Sequence, residues 1–402
     1  MFDGVRQRIA EVAAVAPRTY WYVWWGTLIN KLGGFVVPLL TIYLITVRHL
    51  SVSEAGGIVS VFGAGAIGAS LAGGYLADRL GRKITLVLSL FGGAISLTLL
   101  GLARSIPAIT AMVGLVGFVT ELYRPAVFAI VADVVPPAQR VQAYGLLHWV
   151  INIGFAFAAI VGGLVADVDF TLLFIADAAT MAIYGVIVLI AVPETRPAAA
   201  PHTAGAARPP PSASWLFDRE FVIYVVLTFG IAVIASQIAA LSAHMTWQGF
   251  SPAAFGGVIA VNGIFITVLQ PALSRWSARR DPTRVVTAAA LLYGIGYSMH
   301  GIATNLAVHV AAVMVWTVAE IFESPTRSSI VAAMAPADAR GRYQGAIAMT
   351  FGAALLLGPK LGTWTWENVG PSALWGSCLA LGAVLAVVFA ATGPARRRRM
   401  AR

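Results

Sequence analysis

Twelve apolar runs succeed one another along the 402 residues, each long enough to cross a bilayer. A hydrocarbon core about 30 Å thick needs roughly 20 helical residues, at about 1.5 Å of rise per residue. The runs fall at about 19–45, 54–77, 83–103, 107–135, 140–166, 170–192, 219–245, 252–275, 284–304, 306–334, 341–366 and 371–393. They are continuous and lack the period-two alternation of barrel strands, so an all-α membrane fold is expected. Composition agrees: 11% of the residues are charged, where a soluble chain carries about a quarter. The polar leader Met1–Arg18 reads as a cytoplasmic tail, because the run after it is too long for a cleaved signal peptide. A single cysteine, Cys378, excludes an internal disulfide and a thiolate metal cluster. No metal-ligand spacing, nucleophile elbow or nucleotide loop occurs, so neither a cofactor, enzyme chemistry nor ATP-driven pumping is expected.

The net charge of +10 invites a nucleic-acid reading, and the positions of the basic residues answer it. With twelve spans and both termini inside, 21 Lys and Arg fall in cytoplasmic segments and only Arg48 and Arg104 outside. Such a bias is the positive-inside signal. The basic residues therefore set topology and meet anionic lipid headgroups, and no nucleic-acid partner is expected.

Gly56-Gly57 recurs as Gly256-Gly257, and Pro125, Ile130-Val131, Pro136, Arg140 and Gly145 recur as Pro325, Ile330-Val331, Pro336, Arg340 and Gly345. One colinear offset of 200 relates them all. Each half holds six spans, an even number, so the halves share one orientation and form a parallel repeat about a pseudo-two-fold axis along the membrane normal. The expected organisation is a six-helix bundle over residues 1–192, a Pro-rich cytoplasmic linker over 193–218, and a second six-helix bundle with a basic cytoplasmic tail over 219–402. Two such bundles suit alternating access better than a static scaffold.

After the second span comes Gly74-Tyr-Leu-Ala-Asp78-Arg79-Leu-Gly81-Arg82-Lys83. Glycines permit a tight turn between two helix ends, and the charges can meet helix termini and lipid phosphates. With Pro136-Pro-Ala-Gln-Arg140 after span 4 and Pro193-Glu194-Thr195 after span 6, this loop resembles that of the major facilitator superfamily. The resemblance covers the whole chain. It implies that Asp78 latches the outward-open state with Gly74, Arg79, Gly81, Arg82 and Lys83, responding to Asp133 and Arg140. At the repeat-related place, Ala278 replaces the acid, so the latch is one-sided.

Ionisable groups in mid-span cost about 2.5–3.5 kcal/mol each on insertion scales, which makes each a functional candidate. Here they are Lys31, Glu121, Arg124, Asp177, Glu320, Glu323, Arg327 and Lys360. Glu121 and Arg124 share a helix face, as do Glu320, Glu323 and Arg327. In the family resembled, spans 1, 4, 7 and 10 line the central cavity. Either these charges pair to hold helices together, or a carboxylate exchanges a proton as its cationic partner moves. Glu121, Glu320, Glu323 and Asp177 are the proton-coupling candidates. Asn30, Lys31, Tyr123, Arg124, His148, Trp149, Asn152, Trp316, Arg327 and Lys360 are the candidates for the substrate cavity.

Length and cavity composition look similar to bacterial twelve-span drug:proton antiporters. That resemblance implies export of drug-like or amphipathic small molecules across the bacterial inner membrane, driven by the proton gradient, by a monomer. In span 5 the central Gly-Pro of such exporters is replaced by Ala158-Ala159, and a Gly358-Pro359 pair stands in span 11 instead. Two alternatives stay open. One is a proton-symporting importer of a peptide, amino acid or organic anion, which the Lys31/Arg124/Arg327 set would clamp. The other is a lipid or glycolipid flippase.

Overall fold

The computed structural model describes residues 12, 15–136, 139–196, 218–277, 279–335 and 340–400. Within its helices a few side chains, those at positions 74, 78 and 340 among them, lie outside the description. All regular elements among the described residues are helical, and twelve segments are long and apolar enough to cross a membrane. Span 1 comprises α1 (Arg18–Leu32) and α2 (Val36–Thr46); span 2 is α3 (Val52–Arg79) and span 3 is α4 (Arg82–Leu102). Span 4 comprises α5 (Ile106–Glu121) and α6 (Tyr123–Val134); spans 5 and 6 are α7 (Arg140–Ala166) and α8 (Phe170–Ala191). Span 7 comprises α9 (Arg219–Ala235) and α10 (Ile238–Trp247); spans 8 and 9 are α11 (Pro252–Ser277) and α12 (Pro282–Met299). Spans 10 to 12 are α13 (Leu306–Met334), α14 (Arg340–Asn368) and α15 (Pro371–Met400).

Three of the spans expected to line a cavity are interrupted, and each interruption has a local cause. In span 1, Gly33 and Gly34 separate α1 from α2, and the buried Asp177 of span 6 accepts the Val36 N–H at 3.2 Å. A carboxylate at a helix start satisfies an orphan amide and meets the positive end of the helix dipole. In span 4, Pro125 has no N–H and its ring crowds the carbonyl of Glu121, so α5 ends there and α6 begins at Tyr123. In span 7, the Gln237 side chain donates to the carbonyls of Val233 at 2.8 Å and Gly358 at 3.3 Å, beside the break at Ser236–Gln237. Broken backbone at membrane depth is tolerated where protein or cavity water satisfies it.

The repeat is visible in packing as well as in sequence. Spans 3 and 6 pack along each other, as do their equivalents 9 and 12; spans 1 and 5 pair as spans 7 and 11 do. Gly162 faces Phe35 and Leu39 beside the break in span 1, and Gly362, 200 residues on, faces Gln237 at the break in span 7. Span 9 crosses span 12 where Gly294 meets Gly382, since small residues let helix backbones approach within lipid.

Two compact units result, one of residues 1–39 and 64–206, the other of 40–63 and 207–402. The second therefore includes Leu40–Gly63, the end of span 1 and the start of span 2. The last helix continues through Met400, seven residues past the end expected for its span. Three of its four arginines are engaged with protein. Arg396 is 1% exposed between the rings of Tyr224 and Phe389, Arg397 pairs with Asp281 at 2.9 Å, and Arg399 with Asp218 at 3.1 Å.

Candidate functional site

In the first unit the break of span 4 carries the chemistry. Glu121 ends α5 and Arg124 sits in the first turn of α6, with a 3.5 Å ion pair between them. Arg124 leaves 61% of its side chain exposed and Glu121 27%, so the pair faces open space. A guanidinium at that depth needs water or a polar solute against it. Tyr123, buried between them in sequence, presents its ring to Lys31 Nζ at 4.9 Å from the centroid. Lys31 lies where spans 1 and 5 touch, since a Cβ on Gly154 would overlap its own. Asn30 is buried in α1. Asn152 is buried too and donates to the His148 carbonyl at 2.9 Å, one turn back along α7; His148 is exposed and Trp149 half-buried. Asp177 serves the start of α2, as described above.

In the second unit, span 10 places Glu320, Glu323 and Arg327 on one face, with two different fates. Arg327 Nη1 donates to both oxygens of Glu323, at 2.9 and 2.7 Å, and its guanidinium lies 4.4 Å from the Phe351 ring centroid. The side chains of that pair are 16% and 4% exposed, so it is closed off. Glu320 instead accepts from Asn262 Nδ2 of span 8 at 2.9 Å, and the same amide donates to Thr317 Oγ1 at 3.1 Å. Among the described residues no ion pair reaches Glu320. Trp316 is buried against Tyr297, with ring centroids 5.5 Å apart.

Lys360 is drawn to a separate place. Its Nζ donates to the Ser53 carbonyl at 3.2 Å and to Ser53 Oγ at 3.0 Å, and its N–H donates to Ser60 Oγ at 3.0 Å. Glu367, two turns on, accepts the Ser53 N–H at 2.5 Å. Gly56 packs on Thr363, and Gly63 on the backbone of Leu355 and Leu356, so α3 lies close along α14.

The loop after span 2 is organised by a residue absent from the candidate latch. Gly81 has φ +105° and starts span 3, where the Glu194 carboxylate accepts the N–H groups of Arg82 at 2.9 Å and Lys83 at 3.2 Å. Arg82 Nε pairs with Asp133 at 3.1 Å, and Thr195 Oγ1 also donates to Asp133, at 3.3 Å. Arg79 lies over the Tyr75 ring and its carbonyl accepts from Arg196 at 2.8 Å. Arg140 donates to the Val135 carbonyl at 3.1 Å. Gly74 and Asp78 fall within α3, and their part in the latch lies outside the described side chains.

Comparison with known proteins resolves the family. The Major Facilitator Superfamily profile matches residues 23–359 and 221–402. The chain belongs to this superfamily. It is 28% identical over 377 residues to the multidrug resistance protein MdtH of Klebsiella pneumoniae (strain 342), covering 90% of each chain. It is 24% identical over 361 residues to a Na(+), Li(+), K(+)/H(+) antiporter of Planococcus maritimus, covering 81% of this chain and 84% of that one. A point mutant of the nucleoside transporter NupG shares its fold, with a TM-score of 0.81 at 16% identity over 93% of this chain and 99% of the other. As a superfamily member the chain is a multi-pass membrane transporter and not an enzyme.

Two residues of this transporter's site are missing from the candidates drawn from sequence. Asn262, which donates to Glu320, is uncharged and so lacks the mark that makes an ionisable group in mid-span stand out. Glu194 carried a signal, as the acid directly after the last span of the first half, yet nothing in sequence pointed it at Gly81.

Proposed function

We propose that this transporter exports drug-like or cationic amphipathic molecules in exchange for protons, with Glu320 carrying the proton. The observation that favours Glu320 is its partner set. Glu121 and Glu323 each have an arginine alongside, whereas Glu320 is held by the neutral Asn262 amide. A carboxyl beside neutral groups can gain and lose a proton without stranding a buried cation. The multidrug and cation/proton relatives support the same reading. The transporter then sits in a bacterial inner membrane with both termini cytoplasmic.

Purified protein in liposomes under an imposed pH gradient tests this. Efflux of a cationic dye is expected to follow the gradient and to fall at least tenfold in Glu320→Gln, while gradient-free dye exchange persists. Retained gradient-driven efflux in that variant would overturn the assignment. The exposed Arg124 favours a second reading, proton-coupled uptake of an anionic solute. Gradient-driven uptake of a peptide or organic anion, lost in Arg124→Gln, would establish it in place of export.

A further inference from the structure

At the end of the second unit farthest along span 9 from Asp281, three histidines from three spans meet in a cage of aromatic rings. His300 follows α12, His309 lies in the first turn of α13 and His244 in α10; all are buried, at 0%, 0% and 3% exposure. Trp375 of α15 lies with its ring centroid 5.5 Å from those of both His300 and His244, and Trp366 of α14 lies 6.2 Å from His244. None of the mid-span charges described above belongs to this cluster.

Its hydrogen bonds fix where the protons are. Gln248 donates through Nε2 to the Ala303 carbonyl at 2.6 Å, which leaves Oε1 to accept. His309 Nε2, 2.9 Å from that oxygen, must therefore carry hydrogen. In neutral His309 the other nitrogen, Nδ1, is then a lone pair, and it faces His300 Nδ1 at 2.9 Å. His300 must donate there, so its Nε2 is the free lone pair. That atom is buried without a partner, as is Trp375 Nε1. Likewise His244 Nδ1 accepts the Trp366 indole N–H at 3.0 Å. The bonds from Gln248 through His309 to His300 are all made while both rings are neutral, and the vacant basic atom in the pair is His300 Nε2; His244 Nε2 is also buried without a partner.

We propose that the His300–His309 pair is a second proton-binding site, and that its neutral form holds this end of the second unit closed. The added proton comes from water and forms an N–H bond at His300 Nε2. The His300 Nδ1–H bond to His309 stays, and the positive charge rests on the imidazole that this bond polarises. Facing the pair are His244 from span 7, Tyr297 from span 9, Gln248 and Phe250 from the loop after span 7, and Trp375 from span 12. No carboxylate, Lys or Arg among the described residues forms an ion pair with these rings. Ring faces and the Gln248 oxygen compensate an added charge weakly, so binding the proton favours separation of the helix ends and entry of water. Coupling between proton binding and opening is reciprocal: acid loosens this end, and loosening it raises proton uptake.

The full-length transporter in lipid nanodiscs, labelled at its six histidines, tests both parts by NMR. On lowering the pH from 8 to 4.5, the His300 and His309 ring signals are expected to move together through one shared step. Signals that stay neutral to pH 4.5 in folded protein, or that move in two unrelated steps, would overturn the site. The buried Cys378, one turn along α15 from Trp375, reports opening. Its modification by a thiosulfonate reagent, normalised to unfolded protein at each pH, is expected to accelerate at least fivefold at the same midpoint. In His309→Gln and His300→Gln the acceleration is expected to vanish. An unchanged rate in the native chain, or acceleration that survives both substitutions, refutes the coupling of this pair to opening. The native-chain measurements decide the matter even where a variant does not fold.

Discussion

Replacing Gly81 by alanine should destabilise the loop between spans 2 and 3 through two separable effects. Gly81 has φ +105° and ψ 158°, a region that only glycine occupies readily, and forcing another residue into it costs about 1–3 kcal/mol. In addition, a Cβ at this position would overlap Glu194 Oε2. The carboxylate must then leave the N–H groups of Arg82 and Lys83, forfeiting a helix cap worth about 0.5–1 kcal/mol at an exposed site. The expected loss is about 1.5–4 kcal/mol in all. The assay is thermal unfolding in detergent of the native chain, Gly81→Ala, Glu194→Ala and the double variant. If the methyl group has already expelled Glu194, removing that side chain from the Gly81→Ala background costs almost nothing. The shortfall from additivity should equal the Glu194→Ala effect measured alone. Strictly additive effects would refute the displacement of Glu194, and a native-like melting curve for Gly81→Ala would refute the backbone argument as well.

Three further outcomes are expected. Asp177→Asn should retain gradient-driven transport while lowering stability by about 1–2 kcal/mol, because the amide still accepts from Val36 but lacks charge at the start of α2; loss of coupling in a well-folded Asp177→Asn protein would show that Asp177 carries a proton instead. Gly56→Val should reduce the folded yield by overpacking against Thr363, a cost of about 1–3 kcal/mol, and Thr363→Gly should restore it. At Asp281, burial pushes the carboxyl up, but the N–H groups of Thr283 and Arg284 together with Arg397 outweigh that and hold it below the ordinary range. A lowered native value means that its stabilisation is complete above the unfolded value, about 3.9, and is lost as pH falls through the lower native value. Between pH 5 and 8 the difference in melting temperature between the native chain and Asp281→Asn should therefore be a constant offset.

The spans, their number and the repeat were legible because lipid leaves the chain few solutions. Every backbone polar group must be satisfied within its own helix, so each crossing writes about 20 apolar residues into the sequence. The charged residues were legible for the same reason, since hydrocarbon makes each one conspicuous. Their partners were not. Helix periodicity places Glu320, Glu323 and Arg327 on one face, but whether Arg327 chooses Glu323 or Glu320 depends on rotamers and on what span 8 offers. Asn262 decided it by capturing Glu320. Lys360 looked like a cavity cation and proved to be bound to Ser53, about 300 residues away in sequence, because α3 and α14 approach along glycines.

The twelve runs alone thus determined a helical membrane protein of two related halves, for they reflect a solvent acting on every residue in the same way. Only the tertiary structure decided that spans 1, 4 and 7 are broken, that Leu40–Gly63 joins the second compact unit, and that three histidines from different spans meet in one cluster, two of them hydrogen-bonded to each other. These features depend on side chains meeting across helices, and such meetings follow from the angle and register of packing, which no single span records.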